Sequence, residues 1–81
     1  MNQKDYELVY VDPYSLLVAT RERKIIRIYC PFTVRVIQSV GELLVNQVVP
    51  VDMVKSDPNG WLIYIIQGKA YWYGGFQIVL E

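Results

Sequence analysis

The sequence has no histidine and a single cysteine. Without histidine, a Ser-His-Asp or Cys-His mechanism is excluded, as is a His-ligated metal. One cysteine allows neither an internal disulfide nor a Cys-rich zinc site. Alanine, the best helix former, occurs only at Ala19 and Ala70. No window carries an apolar stripe at helical spacing bounded by caps. No apolar stretch approaches the ~18–20 residues of a membrane span. The start, Met1-Asn2-Gln3-Lys4-Asp5, lacks a basic segment followed by an apolar one, so no signal peptide is expected and the expected location is cytoplasmic. Net charge is also missing: 8 Lys and Arg balance 8 Asp and Glu. That argues against a protein held to nucleic acid mainly by bulk electrostatics.

What the chain does have is strand material. Its 81 residues are 53% hydrophobic, with 7 Tyr, 2 Trp and 2 Phe, and are rich in Val and Ile. Such side chains fit a pleated, half-buried surface. The length predicts one small domain over residues 1–79. Leu80-Glu81 matches a remnant that precedes a purification tag.

Turn chemistry divides the chain. Residues 6–11 and 15–20 read as strands separated by Asp12-Pro13. The polar run Arg21-Glu22-Arg23-Lys24 is the next turn. Residues 25–38 are extended but interrupted at Cys30-Pro31, and Ile26 and Ile28 alternate with Arg27. Val40-Gly41-Glu42 is a turn. Residues 43–54 read as extended, with Val49, Val51 and Met53 on one face and Pro50 and Asp52 on the other. Ser56-Asp57-Pro58-Asn59-Gly60 has strong turn chemistry and predicts a hairpin. Residues 61–66 are apolar on both faces, so the strand is covered twice or meets a partner, a homodimer included. Gln67-Gly68 is a tight turn, Lys69 to Tyr73 a strand, Gly74-Gly75 a break, and Phe76 to Val79 a last short strand. The expected fold is all-β: a small barrel of five to eight short antiparallel strands.

The order of features from Val36 to Ile78 resembles the SH3-like barrel, closest to the bacterial SH3 type. A strand (Val48 to Val54) ends in the loop Asp57-Pro58-Asn59-Gly60. Trp61 opens the next strand, and the turn Gly68-Lys69 leads to Trp72. The family's glycine before the second tryptophan is Tyr71 here. Residues 1–24 lie outside the resemblance and are expected to add a hairpin. The resemblance implies a ligand-facing role for Trp61, and for Phe76 close to the position of a ligand-facing tyrosine.

Two surfaces are candidate sites. Trp61, Tyr64, Tyr71, Trp72, Tyr73 and Phe76 fall close together. Among them Trp61, Trp72, Tyr73 and Phe76 are the expected ligand- or peptide-binding residues, because Tyr and Trp combine an apolar body with a polar handle. The competing use of the same rings is to fill a thin core. Arg21, Arg23, Lys24, Arg27 and Arg35, with Glu22, give residues 20–36 a net charge of +4, against −4 for the rest. That stretch could meet an anion or nucleic acid, or be a solvated turn guarding a strand edge. Cys30 has Lys24 and Arg27 as sequence neighbours that would lower its pKa, but its expected role is a small core residue. The scattered carboxylates make no acid-base dyad.

No catalytic residue, metal or cofactor is expected. The expected function is a non-catalytic module engaging a protein or extended peptide through its aromatic surface. A small nucleic-acid-binding barrel and a bacterial cell-wall-binding domain are the alternatives.

Overall fold

Proline cannot donate to a β-ladder, and the chain turns, breaks or runs along a sheet edge at each proline. The computed structural model describes residues 6–80. The leader reading of Met1 to Asp5, and Glu81 of the tag reading, lie outside the described residues. Among these residues, nine strands form three antiparallel sheets. The first is the meander β1 (Tyr6–Asp12), β2 (Ser15–Thr20) and β3 (Ile25–Tyr29). In the second, β4 (Phe32–Val36) lies between β5 (Val48–Val51) and β9 (Phe76–Ile78). In the third, β7 (Leu62–Ile66) lies between β6 (Met53–Ser56) and β8 (Lys69–Trp72). A 3₁₀ turn, Tyr73–Gly75, joins β8 to β9. No helix among the described residues is long and apolar enough to cross a membrane.

The all-β architecture matches the expectation from composition, and three details differ. The strand count exceeds five to eight because Pro31 and Asp52 each divide an extended stretch. The hairpin expected within residues 1–24 is present as β1 and β2, but β3 joins it to make a separate three-stranded sheet. The three sheets pack together but do not close into a continuous barrel.

Residues 43–47 are not a strand. Leu43 exchanges backbone hydrogen bonds with Val40 across Gly41, which takes φ +57°. Asn46 takes φ +74°, and its N–H donates to Val36 O at 2.7 Å. Local turn bonds therefore satisfy this segment, and only Leu43 reaches the core.

The alternation expected through Met53 also breaks. Val49 and Val51 are buried, Met53 is half-buried, and Val54 is buried. Asp52 drops out of the ladder, and its N–H donates to Ile65 O at 2.9 Å. One unpaired residue inverts which side chains face inward. It also passes the chain from the second sheet to the third. Pro50 is tolerated because β5 is an edge strand.

Each sheet contributes one apolar row to a common core: Leu16 and Val18; Phe32, Val34, Val36, Val49, Val51 and Ile78; Val54, Leu62, Tyr64 and Ile66. The Tyr64 ring meets Phe32 edge-on at 5.6 Å and Phe76 at 5.9 Å. Two polar links tie the first sheet down. Tyr6 Oη accepts the Ile78 N–H at 2.7 Å, and Pro13 O accepts the Val54 N–H at 2.8 Å.

The hairpin between β6 and β7 follows the turn chemistry. Asp57 Oδ1 accepts the N–H groups of Asn59 (2.9 Å) and Trp61 (2.8 Å). Asp57 N–H donates to Trp61 O at 2.9 Å, and Gly60 supplies φ +85°. Because one carboxylate organises the whole loop, Asp57→Ala should lower stability by about 1–2 kcal/mol in urea unfolding. Asp57→Asn, which keeps one acceptor, should lose less.

Candidate functional site

Trp61 sits between the Asp57 turn and the first residue of β7, and its backbone is clamped by the bonds just described. Its indole does not enter the core: Trp61 is 48% exposed. Trp72, at the end of β8, is 51% exposed. Tyr73, the first residue of the 3₁₀ turn, is half-buried. These three rings pack on one another. Trp61 stacks on Tyr73 at 6.3 Å and meets Trp72 edge-on at 6.1 Å. Trp72 and Tyr73 are 5.5 Å apart.

The structure thus brings together three of the four aromatic residues expected to bind a ligand. Phe76 is the correction. It is 1% exposed and packs edge-on against Tyr64 and Tyr71, so it belongs to the core. The 3₁₀ turn explains the difference. It interrupts the strand between Trp72 and Phe76, so two-residue alternation does not carry across it.

Gly74 is essential to the shape of the cluster. The Trp72 indole lies over it, and a Cβ at position 74 would collide with the outer atoms of that ring.

A groove of about 480 Å³ opens beside the cluster. Gly60, Trp61, Leu62 and Tyr73 line one side, and Tyr6 to Val9 of β1 line the other. Sequence reasoning did not find the β1 wall. Nothing local in Tyr6-Glu7-Leu8-Val9 signals that it lies beside a residue more than fifty positions away.

The basic residues do not form one patch. Arg21, Arg23 and Lys24 share the exposed turn between β2 and β3, where Arg23 takes φ +64°. Arg21 lines a second groove of about 400 Å³ together with Tyr6 and Gln77. Gln77 in turn accepts a bond from Arg35 at 2.9 Å. Arg27 is apart from these. Its guanidinium donates to Asp12 Oδ2 at 3.1 Å and to Ser15 Oγ at 3.0 Å, and lies 5.4 Å from the Tyr29 ring centroid. Tyr14 N–H, bonded to Asp12 Oδ1, is the main cause holding that carboxyl below the usual range, with Ser15 and Arg27 adding to it.

Cys30 is partly buried against the core. Its expected basic neighbours do not lower its pKa. Burial pushes the thiol up, and the Asp52 and Asp12 carboxylates push it further. No nucleophile is prepared there.

Compared with known proteins, the chain matches no family model, no curated protein and no solved structure.

Two outcomes follow from this geometry. In Gly74→Ala, contacts between the Trp72 ring and position 74 in NOE spectra should be lost as the indole swings out. Stability should change by less than about 1 kcal/mol, because a surface side chain can move aside. A raised folded-state thiol pKa means less thiolate at neutral pH. Cys30 should therefore react with iodoacetamide more slowly than a free cysteine at pH 7, and Asp52→Asn should speed the reaction.

Proposed function

We propose that this protein is a non-catalytic binding module of the SH3-like type. Its ligand in this reading is an extended segment of a partner protein, laid in the groove between the Trp61–Tyr73 wall and β1. The observation that carries the reading is the exposure of two tryptophans in one cluster. Burying a large apolar side chain is worth roughly 1.5–3 kcal/mol. This small chain leaves Trp61 and Trp72 about half in water instead. Phe32, Tyr64 and Phe76 serve the core and Tyr71 and Tyr73 pack against it, so filling the interior does not account for Trp61 and Trp72. Clustered exposed aromatics are typical of recognition surfaces.

Two further features support the reading. The run from β6 through the Asp57 turn, Trp61, β7, the Gly68 turn and β8 to Trp72 keeps the order on which the family resemblance rests. The groove also pairs a rigid aromatic wall with an edge strand of the first sheet, a combination suited to an extended peptide. The nucleic-acid alternative has less support, because Arg27 is paired with Asp12 and lies apart from the groove that Arg21 lines.

Trp61→Ala should abolish or weaken binding at least about tenfold, as loss of an aromatic anchor does. Its unfolding midpoint should stay close to that of the parent. NMR shift mapping of the labelled chain against a peptide library measures both. Perturbations should centre on Trp61, Tyr73 and Leu8. A Trp61→Ala chain that unfolds, with no peptide shifting these signals in the parent, would sink the proposal.

A further inference from the structure

The first sheet ends in an unusual edge. β3 is its outer strand, and no other strand pairs with it among the described residues. The bonds from Thr20 N–H to Lys24 O and from Cys30 N–H to Tyr14 O fix the pattern of the β2–β3 ladder. With the observed register, Ile26 and Ile28 direct their backbone groups toward β2. Ile25, Arg27 and Tyr29 therefore direct theirs outward. The side chains are as open as the backbone: Ile25 is 72% and Tyr29 63% exposed, and Ile26 is also exposed.

Soluble proteins usually blunt such an edge with charge. Here the one charge in the strand is already engaged, since Arg27 is paired with Asp12 at 3.1 Å. What remains is a self-complementary sequence. Read antiparallel against itself about Arg27, the strand places Ile25 opposite Tyr29 and Ile26 opposite Ile28. It also sets the two Arg27 side chains opposite one another, each with its charge balanced by its own Asp12. Branched-aliphatic and aromatic partners of this kind stabilise cross-strand contacts.

Charge at the two ends selects the same arrangement. The Ile25 end adjoins the basic turn of Arg21, Arg23 and Lys24. The Tyr29 end adjoins the Asp52 corner, two residues before Val54, whose N–H donates to Pro13 O at 2.8 Å. Asp12 in the same turn is balanced by Arg27, so Asp52 supplies the negative charge there. Antiparallel pairing sets the basic turn of each copy against the acidic end of the other. Parallel pairing would set like against like.

We propose that two copies of this chain associate through their β3 edges, antiparallel about Arg27, to form one continuous six-stranded sheet. This surface is separate from the aromatic groove, so the inference does not rest on the binding function proposed above.

Sedimentation equilibrium of the full chain tests it. A species of twice the 9.5 kDa chain mass should appear at micromolar to millimolar concentration and weaken as salt rises. Ile25→Lys/Tyr29→Lys should raise the dissociation constant by about tenfold or more, with an unchanged circular-dichroism spectrum because both positions are exposed. Lys24→Glu and Asp52→Lys should each weaken the dimer, and mixing these two variants should restore it. A chain that stays monomeric throughout the range overturns the proposal. So does a dimer indifferent to the β3 substitutions, or one that the mixed charge-swap variants fail to recover.

Discussion

The Tyr64 ring is the contact on which the other elements depend. It projects from the central strand of one sheet and meets Phe32 and Phe76 of another, both edge-on. A chain of 81 residues buries a limited fraction of its surface. It cannot afford a separate core for each of three sheets. One large ring at their junction lets short strands of three to seven residues share a single interior. Burial also drives the Tyr64 phenol pKa far upward, so the ring stays neutral wherever the fold persists.

Asp52 is the geometric counterpart of that contact. By leaving the ladder, it lets β5 and β6 serve different sheets while both still present valines to the Tyr64 neighbourhood. Its N–H bond to Ile65 O keeps the corner attached to β7, so the break costs no unpaired donor. The aromatic surface follows from the same path. β7 begins just after Trp61 and β8 ends at Trp72, so pairing Ile63 with Trp72 brings the two indoles to one end of the sheet. The Tyr73–Gly75 turn then adds the third ring and returns Phe76 to the core.

Two surfaces of different character result. One is a concave groove with a rigid aromatic wall. The other is a strand edge that no further strand pairs with among the described residues. Both arise because the first sheet packs against the other two without merging with them. β1 becomes a groove wall on one side, and β3 is left as an open edge on the other.

Much of the local structure was legible in the sequence. Asp12-Pro13, Arg21 to Lys24, Asp57 to Gly60 and Gln67-Gly68 all turn where their residue types say they should. Turn chemistry acts over a few residues, so a short window contains its cause. The all-β class was legible for a similar reason, since β-branched and aromatic side chains favour the extended backbone one residue at a time. The division of the aromatic block was not. Phe76 inside, Trp61 and Trp72 outside, β1 beside Trp61, and Arg27 held by Asp12 are consequences of which strands lie side by side. Those pairings join residues far apart in the chain and are decided by how the three sheets share one core. Only the tertiary structure could assign each ring to core or surface.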